Sequence, residues 1–279
     1  MNLTNVMGLP SALVEAVRND PYHPGDANIS ATKLIDSPQI RTLQKKYGQY
    51  VVEDASERIW ALLGQAVHTI LERAGTNQLD ALHERRLFME VEGWRLSGAF
   101  DRLHLEDQVL QDYKVTSIYK AKGDISWTKQ LNVLRQLAKH NGMEVKRLQI
   151  VAIFRDWRTG EAKRDPSYPQ NNVGVIEIPV WDDEYAMNYI RTRIKLHQQS
   201  ETVGDVGCTD EERWYAGTKY ALMKIGAKRA TKVADSLPEI GPPPTGYFIE
   251  ERKGTHRRCE DYCAVSKFCP QFNKEETRE

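Results

Sequence analysis

Two carboxylates and a lysine stand close together in the middle of this 279-residue chain. Asp101 ends an apolar stretch, and Asp112 and Lys114 follow shortly afterwards. Residues two apart on a strand point to the same face, so Asp112 and Lys114 are predicted to share one. A hairpin turn at Glu106 and Asp107 would bring Asp101 beside them. Two carboxylates suit a hard divalent cation, and a neighbouring lysine can orient or deprotonate a water molecule, which is the chemistry of phosphodiester hydrolysis.

An Asp and a Lys two residues apart are also common on a solvated strand face, so the prediction depends on the surrounding sequence. Residues 87–98 alternate weakly in polarity, as a strand does. Gly98 allows a close backbone approach just before Asp101. Both acids are therefore predicted to lie on strands.

Two predicted helices carry further polar side chains that could reach this site. The first covers 54–73 and carries His68, and the second covers 124–141 and carries Gln130. A neutral imidazole can be a third ligand of a carboxylate-bound cation, although a lone histidine on a helix is more often a core residue. A glutamine at the edge of an apolar stripe is more often solvated, so both roles stay open at this point.

Taken in order, four short motifs resemble those of the RecB-like branch of the PD-(D/E)XK nucleases. The motifs are Gly64-x3-His68, Gly98-x2-Asp101, Asp112-Tyr113-Lys114 and Gln130-Leu131-Asn132. The resemblance covers about residues 28–157 of the chain. It implies an α/β fold with a restriction-endonuclease-like core, in which helices flank a mixed central sheet, and a cysteine-tied C-terminal extension completes the expected fold.

The resemblance also implies a role for each matching residue. The implied catalytic residues are Asp101, Asp112, Lys114 and Gln130, and the implied ligands of Mg²⁺ or Mn²⁺ are His68, Asp101, Asp112 and the backbone carbonyl of Val115. Lys114 would assist the attacking water, and Gln130 would orient the scissile strand or the lysine. Members of the branch often have a tyrosine four residues after the glutamine, where this chain has Leu134.

Four cysteines form a second chemical feature. They are Cys208, upstream, and Cys259, Cys263 and Cys269, grouped near the C-terminus. Four thiols can close one tetrahedral metal site or hold one iron–sulfur cluster. A disulfide framework is not expected, because the chain is long and shows no secretory features.

The spacing of the cysteines does not decide between iron–sulfur and zinc by itself, and together with the resemblance it favours iron and sulfide. The C-x2-C pairs usual in zinc sites are absent. Some RecB-like nucleases carry a 4Fe–4S cluster whose last three cysteines form a tight C-terminal group, although there the first cysteine precedes the core and Cys208 follows it. We expect a 4Fe–4S cluster, with Zn²⁺ as the alternative, in which His256 could replace one cysteine.

Composition describes an ordinary globular protein. Hydrophobic residues make up 40%, charged residues 28%, and the formal net charge is +0. No apolar stretch approaches the length of a membrane span, so no membrane partner is expected. We predict three parts: a helical N-terminal segment over 1–50, a nuclease core over 51–200, and an extension with the four-cysteine site over 201–279.

These observations together predict a metal-dependent DNA exonuclease. The resemblance implies a phage-encoded enzyme of recombination, replication or DNA degradation, with DNA as substrate and a single-strand annealing or recombination protein as a further partner. It would act in the cytoplasm of a bacterium or phage-infected host. Two alternatives stay open: a structure-selective endonuclease, and a non-catalytic nucleic-acid-binding or assembly protein on the same fold. Polarity, strand preference and oligomeric state do not follow from the sequence.

Overall fold

The structure, a computed structural model, describes residues 2–19, 26–75, 78–204 and 206–276. Its strands are β1 (Asn2–Thr4), β2 (Ile29–Ser30), β3 (Val52–Asp54), β4 (Ala81–Val91), β5 (Trp94–His104), β6 (Val109–Thr116), β7 (Arg147–Phe154), β8 (Val173–Ile178), β9 (Lys219–Lys224), β10 (Ala230–Ala234) and β11 (Tyr247–Arg252). Its helices are α1 (Ser11–Arg18), α2 (Ala31–Ile35), α3 (Pro38–Tyr47), α4 (Ile59–Gly75), α5 (Ile125–His140), α6 (Thr159–Arg164), α7 (Asp183–Thr202), α8 (Leu237–Ile240) and α9 (Pro270–Glu276).

A mixed six-stranded sheet forms the centre of the molecule. Its strands run in the order β2-β5-β6-β7-β8, and β4 pairs with β5 as well. The β4–β5, β5–β6 and β7–β8 pairs are antiparallel, whereas β2–β5 and β6–β7 are parallel. Helix α5 makes the crossover between the parallel strands β6 and β7, as a parallel pair requires. The predicted α/β fold, a mixed central sheet flanked by helices, is confirmed.

The longest hairpin of the sheet joins β4 to β5 through Glu92 and Gly93. Both residues have positive φ angles, 50° and 72°. Such angles at both central positions define the tight turn that matches the right-handed twist of the flanking strands. The sequence interpretation of 87–98 as one continuous strand was therefore wrong, because the chain reverses at this turn.

The main core lies where α5 and α7 pack over the sheet. Its fully buried side chains include Phe100 of β5, Leu134 of α5 and Ile190 of α7. The close approach predicted at Gly98 is confirmed, because a Cβ there would lie 2.5 Å from Leu134 Cδ2 and 2.8 Å from Leu137 Cδ1. Leu134, four residues after Gln130, is a core residue.

A smaller apolar cluster joins the C-terminal region to α3. Ile40 and Leu43 of α3 pack with Val51, Val265 and Cys269. The strands β10-β9-β11 form a separate three-stranded antiparallel sheet in this region. The cysteine-bearing segment therefore packs against an element near the start of the chain. Among the described helices, none combines the length and apolar character needed to cross a lipid bilayer.

Candidate active site

Strands β5 and β6 separate at the position of Asp101. Their backbone pairing runs from His104 to Arg102 of β5 and goes no further toward the start of that strand. Just beyond it, the buried carboxylate of Asp101 accepts a hydrogen bond from the backbone N–H of Tyr113. The predicted hairpin turn containing Glu106 and Asp107 is confirmed, since both lie between β5 and β6. A carboxylate thus replaces a ladder hydrogen bond, and the strands diverge around it.

Two further side chains, His68 and Glu84, meet this carboxylate to form a group of three. His68 Nδ1 of α4 lies 3.2 Å from Asp101 Oδ1 and 3.6 Å from Glu84 Oε1 of β4. One ligand atom from each of the three lies within 4.8 Å of the others, and across the part of the chain that the structure describes this is the one such group of acidic, histidine or cysteine side chains. The carboxylate of Asp112 lies outside the group.

Both ring nitrogens of His68 lie close to oxygen atoms. Nδ1 faces the two carboxylates, and Nε2 lies 3.1 Å from the carbonyl oxygen of Tyr113. Both nitrogens act as donors in this setting, which requires the imidazolium form. The hydrogen bonds to Asp101 and then to Glu84 accordingly raise the pKa of His68 to about 10, against the opposing effect of burial.

The second half of the site consists of Asp112, Lys114 and Gln130. Lys114 Nζ lies 2.5 Å from Asp112 Oδ2, so the two side chains share a strand face as predicted. Gln130 Nε2, from α5, donates to Asp112 Oδ1 at 3.1 Å. Burial raises the pKa of the Asp112 carboxyl, Lys114 opposes this shift, and the nearby Asp101 adds to it. The Asp112 carboxylate is 2% exposed and held from both sides.

The donor set of this region fits a hard divalent cation. Carboxylate oxygens are the ligands that Mg²⁺ prefers, and an imidazole among them suits Mn²⁺ better. Three carboxylates are concentrated here against the two positive charges of His68 and Lys114, which leaves an excess of negative charge for a cation. Val115 lies in β6 opposite Ile153 of β7, and the contact of its carbonyl with a cation stays a prediction.

Sequence reasoning missed Glu84. The signal that could have found it is the two-residue turn at Glu92–Gly93, because a tight turn fixes the register of a hairpin. The neighbouring residues His83 and Arg85 pair with Arg102 and Phe100, so Glu84 lies opposite Asp101. Counting outward from that turn would have put a second carboxylate next to Asp101, and the turn was overlooked because the flanking residues alternate in polarity through it.

The four cysteines gather around one cavity at the junction of α3 and the C-terminal region. Cys208, Cys259, Cys263 and Cys269 all line it and all are free thiols. Polar groups contact three of the sulfurs. Ser37 Oγ lies 3.0 Å from Cys208 Sγ, Gln39 Nε2 donates to Cys269 Sγ at 3.2 Å, and Arg213 Nε donates to Cys259 Sγ at 3.5 Å.

No three of the sulfurs lie within 4.8 Å of one another, so they are spread around the cavity rather than tightly grouped. Burial raises the pKa of Cys208 to about 12, and burial also raises the pKa of Cys263. Hydrogen-bond donors aimed at buried or half-buried sulfurs suit thiolate ligands of a soft metal or of an iron–sulfur cluster. His256 contacts Asp210 at 3.1 Å and does not line the cavity.

Comparison with known proteins gives a likeness of fold. Neither a protein-family model nor a curated protein sequence matches this chain. The solved structure of SSO0001 is similar over 73% of this chain and 90% of its own, with a TM-score of 0.50 and 17% sequence identity. A protein named "Putative exonuclease" from Eubacterium rectale is similar over 67% of this chain and 72% of its own, with a TM-score of 0.33 and 13% identity. The first likeness concerns the fold alone, and the second score is too low to support a statement about this chain.

Proposed function

We propose that this protein is a metal-dependent deoxyribonuclease that hydrolyses phosphodiester bonds. The observation that carries the proposal is the meeting of His68, Glu84 and Asp101 beside the Asp112–Lys114 pair, where β5 and β6 diverge. This arrangement joins a cluster of hard oxygen ligands to a lysine that is oriented by one of the carboxylates. A protein that only bound nucleic acid would not need that combination.

The residues that would hold Mg²⁺ or Mn²⁺ are Asp101, Asp112, Glu84 and His68, with the Val115 carbonyl as a further candidate. A bound cation of this kind supplies a Lewis acid for the phosphate oxygens and a more acidic water molecule. His68 would hold the cation as the neutral imidazole, so it would have to give up the proton that Asp101 and Glu84 retain on it.

Lys114 and Gln130 prepare the site for attack on the phosphate. Lys114 is held by Asp112, which fixes the position of its ammonium group relative to the carboxylates. An ammonium group there can orient the attacking water and stabilise the negative charge that develops on the phosphate. Gln130 holds the other oxygen of Asp112, so the carboxylate has one orientation.

The test is cleavage of end-labelled DNA with Mg²⁺, with Mn²⁺ and with a chelator. The wild-type protein is expected to need a divalent cation, and Asp101→Asn and Asp112→Asn are expected to abolish cleavage, because each loses a charged ligand without a change of shape. Asp107→Asn, in the exposed turn of the same hairpin, is the control and is expected to keep full activity. Wild-type rates in the Asp101 or Asp112 variant would overturn the proposal.

The exonuclease assignment rests on the resemblance of the motifs to RecB-like nucleases. Linear and closed circular DNA in the same assay separate the alternatives. Loss of the linear form with an intact circle supports an exonuclease, whereas opening of the circle supports the structure-selective endonuclease. Tight binding without cleavage of either form would support the non-catalytic nucleic-acid-binding protein.

The same resemblance suggests the biological setting. A phage-encoded enzyme of recombination, replication or DNA degradation would act on DNA together with a single-strand annealing or recombination protein. In this proposal residues 51–200 carry the chemistry, residues 1–50 precede it, and residues 201–279 form the extension tied by its cysteines. The assays of cleavage with and without an annealing protein test this setting.

We also propose that Cys208, Cys259, Cys263 and Cys269 hold a 4Fe–4S cluster, with Zn²⁺ as the alternative. Zn–S bonds of about 2.3 Å in a tetrahedron place the sulfurs roughly 3.8 Å apart. The sulfurs here are more widely spread than that, with no three of them within 4.8 Å of one another, which favours a larger inorganic group. The hydrogen bonds from Gln39 and Arg213 to two of the sulfurs are of the kind that tune such clusters.

Elemental analysis of anaerobically purified protein tests the cysteine site. Iron with acid-labile sulfide and broad visible absorption supports the cluster, zinc supports the alternative, and neither in well-folded protein rejects both. Cys263→Ser is expected to release the bound group and to lower the melting temperature, because binding free energy contributes to folding where the unfolded chain has no preformed site.

A further inference from the structure

Helix α4 has an unusual surface for an element that contributes to an active site. It carries His68, yet several of its apolar side chains face solvent, among them Trp60 at 57% exposure and Ile70 at 54%. Leu63 of the same helix is exposed as well, and several apolar side chains exposed together are more typical of a binding surface than a single one.

Trp60 is paired with a cation that comes from the end of a central strand. The guanidinium carbon of Arg155 lies 4.3 Å from the centre of the Trp60 ring. Arg155 follows β7 directly, and its backbone N–H donates to the carbonyl of Thr116 at 2.9 Å. Thr116 lies two residues beyond Lys114 on β6. The Trp60–Arg155 pair therefore lies at the end of the strand that carries Asp112 and Lys114.

The distance from this pair to the metal-ligand cluster is short on the scale of a nucleic acid. Trp60 and His68 are eight residues apart on α4, and at 1.5 Å per residue they are separated by about 12 Å along the helix axis. Successive bases in a strand are stacked about 3.4 Å apart. A strand whose phosphate lies at Asp101 would therefore bring a base to Trp60 within a few nucleotides.

A second exposed aromatic residue lies in the loop after β6. Tyr119 is 89% exposed. The loop is held by Asp156, the residue after Arg155, which accepts hydrogen bonds from Ser117 Oγ at 2.5 Å and from the Ile118 N–H at 2.7 Å. The exposed Lys122 follows in the same loop. An exposed aromatic and an exposed basic side chain thus lie in the loop that is anchored by the neighbour of Arg155.

We propose that Trp60, Arg155 and Tyr119 form a stacking platform for unpaired bases, so that the site takes single-stranded DNA in preference to duplex. The inference rests on the proposed nuclease function and specifies its substrate. Exposed aromatic rings bind any base by its face, and adjacent basic groups bind the phosphates. In a duplex the base faces are already covered by their neighbours, so the platform adds affinity only where bases are unpaired.

The charge of the pair favours a nucleic acid over a protein partner for this face. A guanidinium stacked on the ring presents a cation at the same place as the aromatic surface, which suits a base joined to a phosphate. A protein interface centred on Leu63 and Ile70 of α4 is the competing occupant, and the experiment includes its outcome.

The experiment measures binding by fluorescence anisotropy with a labelled oligothymidylate and with a labelled hairpin duplex, in the presence of a chelator that prevents cleavage. The variants are Trp60→Ala and Trp60→Phe, and the control is Tyr185→Ala, an exposed aromatic residue on α7. We expect Trp60→Ala to weaken single-strand binding roughly tenfold or more and to leave duplex binding unchanged. Trp60→Phe should retain most of the affinity, and the control should match the wild-type protein.

The platform is rejected if Trp60→Ala binds the single strand as the wild-type protein does, or if it loses both ligands equally. It is also rejected if size-exclusion chromatography shows that the variant changes oligomeric state while DNA binding is kept, which assigns the face to a protein interface. If the wild-type protein cleaves DNA in the metal assay and Trp60→Ala binds single strands as tightly as the wild type, the platform alone is rejected. A wild-type protein that cleaves no DNA rejects the nuclease proposal itself.

Discussion

Each of the residues that carry the proposed chemistry is fixed by a contact that can be named. Asp101 accepts the N–H of Tyr113 through one oxygen and faces His68 with the other. Asp112 is bound by Lys114 on one oxygen and by Gln130 on the other. Both carboxylates are buried, so these contacts replace the solvation that the charged groups lose.

Glu84 is the proposed metal ligand that lies opposite Asp101. Glu84→Gln removes the negative charge of this side chain from the cluster with His68 and Asp101 and keeps its shape. We expect DNA cleavage to fall about tenfold or more, with a higher Mg²⁺ concentration needed for half-maximal rate. Glu90→Gln, on the same strand but exposed, is the matched control. Equal metal titration curves for the two variants would remove Glu84 from the site.

Lys114 is expected to act on the reaction rather than on binding. Lys114→Ala should lose about 10²- to 10⁴-fold in the single-turnover cleavage rate while its affinity for DNA and for the divalent cation changes little. Lys114→Arg should restore little of the rate, because a guanidinium does not readily give up a proton. Full activity in the arginine variant would show that the positive charge suffices, and a parallel loss of DNA affinity would assign the lysine to substrate binding.

At the scale of secondary structure, two glycines from the sequence motifs have different surroundings. Gly98 on β5 lies against α5, and a Cβ there would meet Leu134 and Leu137 closely. Gly64 on α4 has open space around it, since a Cβ there would meet no atom within 4 Å, and packing within this chain does not explain its motif position. The first glycine sets how closely the helix that carries Gln130 approaches the sheet.

We expect Gly98→Ala to lower the free energy of unfolding by about 1–3 kcal/mol, because the added methyl overpacks a closed core. Cleavage should fall as well, since α5 must move and Gln130 with it. Gly64→Ala is the comparison, and it should raise stability by roughly 0.5–1 kcal/mol through helix propensity. Urea denaturation checks both variants. A Gly98→Ala protein as stable as the wild type would show that the leucines move aside without cost.

At the scale of the whole molecule, a buried histidine joins α7 to the N-terminal part of the chain. His197 is fully buried, and its Nε2 lies 3.1 Å from the carbonyl oxygen of Leu34 at the end of α2. Burial lowers its pKa from 6.5 to about 4. The imidazole is therefore neutral in the folded protein, with Nε2–H as the donor.

This histidine predicts a pH dependence of stability. Between about pH 6.5 and 4 the unfolded chain binds a proton at His197 that the folded chain does not. The contribution of His197 to the free energy of unfolding is therefore fully present above about pH 6.5 and decreases as the pH falls from 6.5 to 4. The loss should amount to roughly 3 kcal/mol at the acid end. Urea denaturation across this range measures it. His197→Gln removes the titrating group, and an unchanged pH profile in that variant would assign the effect to other residues.

Local features of the sequence determined a large part of the site. The alternation of Asp112 and Lys114, the position of Asp101 before a turn and the helices bearing His68 and Gln130 all follow from local periodicity, because strand and helix faces repeat every two and every 3.6 residues. The mixed α/β fold was predicted from the order of the helices and strands together with the resemblance of the motifs, and Gly98 itself indicated a close backbone approach. The pairing of each candidate ligand with a cation stays a prediction.

Only the tertiary structure showed which residues from distant segments lie next to one another. Glu84 joins Asp101 and His68 because one tight turn sets the register of an entire hairpin, and that turn lay inside a run that reads as a single strand. The four cysteines line one cavity beside α3 although Cys208 is distant from the others in sequence. Trp60 meets Arg155 at the end of β7. Contacts between distant segments depend on how whole elements pack, and the packing of elements is a property of the complete chain rather than of any one segment.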